Sequence, residues 1–498
     1  MLFYIVMILF LPIIVWLPIF IFLVIADIVA ILHILTSKRE EPTSALLWIF
    51  LVLGLSIFGL IAYVCLGINK IRTKALEIET ANNSIVEQRT LHSSFCEYLK
   101  HISKYIYTKR TGSSYNDILD RVTIDTYSVS GNKVELLEDG TSAYPRMLDA
   151  IEHAKNHVHL QSFIICDDAI GRKIFDTLQR KAEEGIRVRI IFDRLGSTHA
   201  YKSKFFKEYK GKSPNLEIKV FSKYNIFVPY RIQLRNHRKL LICDGKIAFI
   251  GGINISAENV INKQNDYIHD LHCEIRGPAI GELQFSFLRD WKLVTKMDSE
   301  KLLSSGDFFP EPTEEGSCIV RVNPSGPGQA YFYSKKLMLT AANAAQKSLW
   351  IITPYFVPDL GLMQTLCFTS ARGVDVRVII PHNNNHWYVR YASKNYYDKL
   401  ISYGVKIYEK EGVFSHVKAT LVDREWGIMG SSNYDMRSFR LNYELDFTVE
   451  GDEFISVFAR QFDSELADSF IITKEMRDAR SFYEEIMEAI CALFTPIL

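Results

Sequence analysis

The sequence predicts an α/β protein: two duplicated α/β/α sandwich domains forming one shared site, preceded by an N-terminal two-helix transmembrane hairpin. Three observations predict it. The pattern His-x-Lys-x4-Asp occurs twice, in NHRKLLICDG at 236–245 and SHVKATLVDR at 415–424. Helix-like and strand-like segments alternate in the same order around each copy. Two long uncharged apolar runs open the chain.

Leu2 to Ala26 and Ser44 to Ile68 contain no charged residue, and each run exceeds the roughly 20 residues that cross a bilayer as a helix. Residues 1–68 are therefore expected to hold two spans. A cleaved signal peptide fits less well, because no basic segment precedes the first run and a second run follows directly. The short loop SKREEPT puts both outer ends of the hairpin on one side. Lys70, Arg72 and Lys74 after the second run, against Lys38 and Arg39 in the loop, favour a cytoplasmic catalytic region.

Residues 69–125 read as a polar connector. Two domains, 126–310 and 311–498, follow. In the first, YPRMLDAIEHAKNHVHLQSFII and IFDTLQRKAEEGIRVRIIFD each read as a helix followed by a strand; SKKLMLTAANAAQKSLWIITPYFVPD and LMQTLCFTSARGVDVRVIIP repeat that order in the second. Gly185 and Gly373 each stop a helix before a strand, as glycine after a helix C-terminus does. Such alternation predicts a largely parallel or mixed sheet covered on both faces. At the C-terminus, Ile486, Ile490, Leu493 and Phe494 share one helical face, suited to lie on the membrane or against the catalytic core, with core packing the expectation.

Composition narrows the function. A net charge of +1 with 48% apolar residues describes large buried cores and gives no electrostatic footprint for nucleic acid. The eight cysteines are scattered without a CxxC pair, so neither a zinc site nor a disulfide framework is expected, and reduced thiols in the cytosol are the simplest account.

The duplicated motif carries the chemistry. The differences 416 − 237, 418 − 239, 423 − 244 and 433 − 254 all equal 179. Residues two apart on a strand share a face, so His237 lies beside Lys239 and His416 beside Lys418. These six motif residues, His237, Lys239, Asp244, His416, Lys418 and Asp423, form the candidate catalytic set. Within it Asp244 and Asp423 fall on the other parity and are expected as turn or buried-partner residues. Gly251-Gly252 and Gly430 allow a close backbone approach that returns Asn254 and Asn433 to the His-Lys pairs. Two imidazoles, two ammonium groups and two amides suit a phosphodiester. Lys239, Asn254, Lys418 and Asn433 hold the non-bridging oxygens; one imidazole attacks phosphorus, and the other protonates the leaving alkoxide and deprotonates the incoming alcohol. No metal and no cofactor is needed, since HxK places an ammonium where a second metal ligand would stand and no HExxH occurs. The run PHNNNHW, with His382 and His386, reads as a polar loop near the site entrance.

These motifs resemble the phospholipase D superfamily. RNHRKLLICDGKIAFIGGINIS, HDLHCEIRGPAIGELQFSFLRDW, ITPYFVPD and FSHVKATLVD, with EEPTSALLWIFLVLGLSIFGLIAYVCLG before them, are similar to bacterial cardiolipin synthases of that type from about Glu40 to the C-terminus. The resemblance implies phospholipase D-like domains and transfer of a phosphatidyl group between two phosphatidylglycerol molecules, giving cardiolipin and glycerol in the bacterial cell membrane. It implies His237 as nucleophile and His416 as acid/base, the near-symmetry leaving the reverse order open. It also implies Asp270 and Glu444 as the carboxylates that orient the histidines. Ser56-Ile57 and Asn385-His386 depart from the family pattern; the first does not touch the chemistry, and the second leaves lipid or alcohol selectivity open. A hydrolytic phospholipase D or a transphosphatidylase with another acceptor alcohol shares the same residues; a nuclease would require a basic groove, and a scaffold a decayed half-site. The alternative route through a CDP-activated lipid needs an Asp-rich motif in a membrane helix, and only Asp27 lies in the apolar segments. The oligomeric state is not legible.

Overall fold

The structure, a computed structural model, describes residues 13–38, 42–55, 57–64, 98, 100–107, 115–123, 126–221, 234–262, 266–303, 307–327 and 332–495. The chain divides into two units. One comprises Met1–Glu77 with Tyr224–Gln233, the other Ile78–Lys223 with Leu234–Leu498.

In the first unit the helix Ile13–Ser37 includes Leu17–Ser37, 21 residues of mean hydropathy 2.7. Among the described residues it is the one helix long and apolar enough to cross a membrane. Among the described residues the second apolar run forms the helix Pro42–Leu55, 14 residues, and the brief helix Ile57–Ala62. Ile34, Val52 and Tyr63 are buried between these helices, and His33 Nδ1 lies 2.7 Å from the Tyr63 hydroxyl. Phe22, Val29 and Leu32 face outward, as lipid-facing residues do.

The second unit is built on one mixed sheet of 16 strands, with two further two-stranded sheets beside it. Its first half supplies β1 (Ser128–Glu138), β2 (His157–Ser162), β3 (Arg187–Asp193), β4 (Leu216–Phe221), β5 (Arg235–Asn236), β6 (Leu240–Cys243), β7 (Ile247–Gly251), β8 (Ile268–His269) and β9 (Leu271–Arg276). The second half supplies β10 (Cys318–Ser325), β11 (Ser348–Ile352), β12 (Phe356–Val357), β13 (Asp375–Pro381), β14 (Lys406–Lys410), β15 (Phe414–Ser415), β16 (Ala419–Val422), β17 (Trp426–Gly430), β18 (Tyr434–Asp435), β19 (Asn442–Glu450) and β20 (Ser469–Ile471). Outward from the antiparallel β1–β10 junction, the first half runs β1-β9-β7-β6-β2-β3-β4 and the second β10-β19-β17-β16-β11-β13-β14. The duplication read from the motifs is a duplication of strand order.

Pairing follows the connections. Helices bridge β2 to β3 and β11 to β13, and these pairs are parallel; the tight turns at Asp244-Gly245 and Asp423-Arg424 join β6 to β7 and β16 to β17, which are antiparallel. Gly185 and Gly373 both adopt left-handed φ, +96° and +97°, after their helices. The two halves pack on each other through a shared core in which Ile250, Leu283 and Trp291 join Val320, Phe447 and Phe458.

Two segments depart from their sequence reading. Within the expected connector, the helix Tyr115–Val122 docks on the second half: Tyr115 is buried and stacks on Trp426 with ring centroids 3.8 Å apart. Asn116 Nδ2 donates to Glu450 at 3.0 Å. At the C-terminus, the helix Phe482–Ala492 buries Glu488 and Cys491 while Ile486, Ile490, Leu493 and Phe494 are exposed. The face expected to enter the core points away from it. Arg477, paired with Glu488 at 2.6 Å, anchors the polar side inward because a buried ion pair must stay satisfied.

Candidate active site

Each motif histidine is mounted by one half and held by the other. β5, just before His237, pairs in parallel with β19, Arg235 opposite Asn442; β15, just before His416, pairs in parallel with β8, Phe414 opposite Ile268. The His237 N–H donates to the Tyr443 carbonyl at 2.9 Å and the His416 N–H to the His269 carbonyl at 2.7 Å.

The side chains repeat the exchange. His237 Nδ1 lies 3.0 Å from Glu444 Oε2 and 3.1 Å from the Ser431 carbonyl. His416 Nδ1 lies 2.7 Å from Asp270 Oδ2. A carbonyl can only accept, so His237 carries its proton on Nδ1 and turns the Nε2 lone pair to the cavity. The Asp270 carboxylate imposes the same tautomer on His416. Asp270 and Glu444 are both fully buried.

Lys239 Nζ donates to the His237 carbonyl at 2.6 Å. Lys418 Nζ stands 2.8 Å from His416 Nδ1, 3.7 Å from Asp270, and also donates to the His416 carbonyl. Burial, then the two neighbouring lysines, hold His237 well below the ordinary imidazole range. Burial and Lys418 outweigh Asp270 and hold His416 at about 3. Lys239 is brought down to about 7 by burial and by Lys418. Burial would raise the Asp270 carboxyl, but Lys418 and the His416 hydrogen bond keep it low; burial leaves Glu444 raised. The site therefore has neutral imidazoles beside cationic groups, a field that favours an anion.

Asn254 and Asn433 line the same cavity, about 470 Å3, as His237 and His416. Asn254 Oδ1 accepts the Ile164 N–H at 3.1 Å, which leaves its NH2 for a ligand. The glycines before them permit the close approach. A Cβ on Gly252 would sit 2.1 Å from Asp270 Oδ1, and one on Gly430 would sit 2.3 Å from Asp446 Oδ1.

Asp244 and Asp423 are not among the residues that line the cavity. Asp244, at φ +55°, accepts the N–H groups of Lys155, Asn156 and His157 at 2.7, 2.7 and 2.9 Å. Asp423, at φ +54°, does the same for Gln346, Lys347 and Ser348 at 2.9, 2.7 and 2.8 Å. Both pin the turn after a motif strand to the start of the neighbouring strand.

The PHNNNHW loop contributes Asn385 and His386 to the cavity wall, Asn385 accepting from the Tyr355 hydroxyl at 2.9 Å. His382 instead pairs with Glu409 at 2.6 Å. Sequence reasoning missed Ser431, whose hydroxyl donates to Glu444, and Asn442, which donates to Glu444 at 3.0 Å. Asn442 stands two residues before Glu444 on one strand, so the same parity rule could have found it.

A duplicated α/β core with two crosswise His-Lys-carboxylate sets defines the phospholipase D class of phosphodiester chemistry. The family model described as "Cardiolipin synthase, PLD-like domain" matches residues 147–291 and 338–466, and one described as "Phospholipase_D-nuclease N-terminal" matches 25–67. A protein named cardiolipin synthase from Listeria welshimeri is 30% identical over 464 residues, 93% of this chain and 95% of its own. Another of that name from Halalkalibacterium halodurans is 31% identical over 471 residues, 93% and 90% of the two chains. The crystal structure of phosphatidylserine synthase from Haemophilus influenzae shares the fold, with TM-score 0.57 and 12% identity, over 81% of this chain and 99% of that one. The chain belongs to the phospholipase D-like cardiolipin synthase family.

Proposed function

We propose that this chain is a phosphatidyltransferase that joins two phosphatidylglycerol molecules into cardiolipin, releasing glycerol through a phosphohistidine. The reading is supported most by the crosswise pairs His237–Glu444 and His416–Asp270, which turn two Nε2 atoms toward one cavity. The Nε2 of one imidazole attacks phosphorus and the P–O bond to glycerol breaks, the other imidazole giving its proton to the departing oxygen. That second imidazole then takes the proton of the incoming hydroxyl as the new P–O bond forms and the N–P bond breaks. Lys239, Lys418, Asn254 and Asn433 bear the charge on the non-bridging oxygens. Burial and then the neighbouring cations depress both imidazoles; an entering phosphodiester anion offsets the cations, so the general acid takes up a solvent proton on Nε2 as the substrate binds. Asp270 and Glu444 orient the two rings.

The same reading places residues 1–68 as a two-helix membrane hairpin, 69–125 as the segment joining it to the catalytic region, and 126–310 and 311–498 as the two phospholipase D-like domains, on the cytoplasmic side. An anchored enzyme suits a diacyl substrate, because leaving the bilayer exposes each methylene at roughly 0.8 kcal/mol. The test is a mass-spectrometric assay of purified protein in phosphatidylglycerol liposomes with EDTA. Cardiolipin and glycerol are expected from the wild type and neither from His237→Ala or His416→Ala. Phosphatidic acid as the main product, a strict need for a divalent metal, or activity in either variant would overturn the reading.

A further inference from the structure

The two walls of the cavity are built from equivalent positions yet differ in charge. Applying the motif offset, 414 − 235 and 437 − 258 both equal 179, so Arg235 corresponds to Phe414 and Arg437 to Glu258. The strand partners of the first pair differ in the same sense, Asn442 opposite Arg235 and Ile268 opposite Phe414. All six residues line the cavity. One wall thus carries two guanidinium groups and an amide where the other carries a carboxylate and two apolar side chains.

The reacting phosphate does not account for this. It is already served by two imidazoles, two ammonium groups and two amides, all of which obey the duplication. The arginines break it. Arg235 is 5% exposed and is positioned by Asp193 at 3.6 Å, whose carboxylate also accepts the Leu195 and Asn236 N–H groups at 2.8 and 3.1 Å. Arg437 follows Asp435, which caps the short helix Met436–Arg440 by accepting the Ser438 N–H at 2.7 Å. Burial and then Arg437 oppose Asp193 and leave the Arg235 guanidinium below its ordinary range. Two neighbouring cations in a partly dry cavity repel each other, and an anion held between them offsets that cost. Guanidinium is also the side chain that matches phosphate oxygens with paired donors.

We propose that Arg235 and Arg437 form a second phosphodiester subsite, which holds the phosphate of the acceptor lipid while its glycerol hydroxyl attacks the phosphohistidine. The inference rests on the functional reading above and deepens it by naming what selects the acceptor. Phosphatidylglycerol carries a second phosphate with its attacking hydroxyl; water and glycerol do not. In the transfer step the acceptor O–P bond forms, the N–P bond breaks, and the hydroxyl proton passes to the second imidazole. The arginines take no part in the bond changes and fix only where the hydroxyl stands.

The test compares two acceptors against one donor in phosphatidylglycerol vesicles carrying the full chain. Cardiolipin formation uses the proposed subsite, whereas exchange of isotopically labelled glycerol into phosphatidylglycerol runs the same phosphohistidine with a neutral acceptor. For Arg235→Gln and Arg437→Gln, cardiolipin formation is expected to fall about tenfold or more while glycerol exchange stays within about threefold, the scale of one lost charge-assisted hydrogen bond. Retained exchange also reports a folded enzyme. Parallel loss of both reactions would overturn the subsite, by making the arginines part of the reacting-phosphate site or of the fold, and so would unchanged cardiolipin formation. A wild type that exchanges glycerol but makes no cardiolipin would overturn the functional reading and the subsite with it.

Discussion

The half-site around His416 and the half-site around His237 orient their rings with different hydrogen-bond sets. Around His416 the orienting group is a short Asp270, reached because Gly252 leaves no side chain in its way. At the position equivalent to Gly252 the other half has Ser431, and at the position equivalent to Asp270 it has the longer Glu444. There the carboxylate is shared among His237, the Ser431 hydroxyl and the Asn442 amide, and the Ser431 carbonyl also accepts from His237. One ring depends on a single carboxylate, the other on a small network. Duplication preserves the reacting groups more strictly than the groups that aim them.

Asp270→Asn should give the largest effect. The amide can present its NH2 to Nδ1 and select the wrong tautomer, and no second acceptor corrects it, so turnover is expected to fall about 10^3- to 10^4-fold. Steady-state cardiolipin synthesis measures it. A loss below tenfold would mean that His416 is aimed by something other than Asp270.

Glu444→Gln removes the charge but leaves the Ser431 carbonyl to hold the His237 proton on Nδ1. The expected loss is about tenfold, the scale of one weakened hydrogen bond to a charged group. Ser431→Ala should cost about threefold, since Asn442 still donates to Glu444. If Glu444→Gln were as damaging as Asp270→Asn, the network would provide no redundancy and the contrast between the half-sites would collapse.

These contrasts mark where the sequence is legible. The His-Lys-Asn groups stand out because they are local: strand parity and a constant offset of 179 place them without knowledge of the fold. The carboxylates Asp270 and Glu444 come only through resemblance, and their crossing between halves is hidden because it depends on the pairing of β8 with β15 and of β5 with β19. Parity separates Asp244 and Asp423 from the chemistry, and three backbone N–H groups on each show what they do instead. The C-terminal helix misleads for a physical reason. Periodicity reveals an apolar face but not its direction, and Arg477 with Glu488 decides that.

Asp244→Asn and Asp423→Asn test the symmetric counterpart of the carboxylate contrast. Each replaces a carboxylate holding three N–H groups, so each is expected to lower stability by about 2 kcal/mol and to leave kcat and KM unchanged well below the unfolding transition. Calorimetry and kinetics on the same samples separate the two readouts. Equal destabilisation by both variants would fit their matching geometry, and a loss of kcat without loss of stability would return the Asp residues to the chemistry.

The smallest expected effect on turnover concerns His269, which joins the halves behind the site, with Nδ1 2.8 Å from Asp139 and Nε2 2.7 Å from Glu465. Burial opposes its protonation, but hydrogen bonds to the two carboxylates outweigh that and raise it to about 10. His157, His272 and His416 lie the other way, at about 4, 3 and 3, chiefly through burial. The signs of linkage are opposite. A raised imidazole contributes stability that is complete below its unfolded value of about 6.5 and is lost as pH rises toward 10, while the depressed ones contribute stability present above about 6.5 and lost as pH falls toward 3. Melting temperature should therefore decline on both limbs. In His269→Gln it should be lower at neutral pH and flatter on the alkaline limb, with the acid limb unchanged. An alkaline limb as steep in the variant as in the wild type would mean that the charged His269 clamp does not couple the two halves.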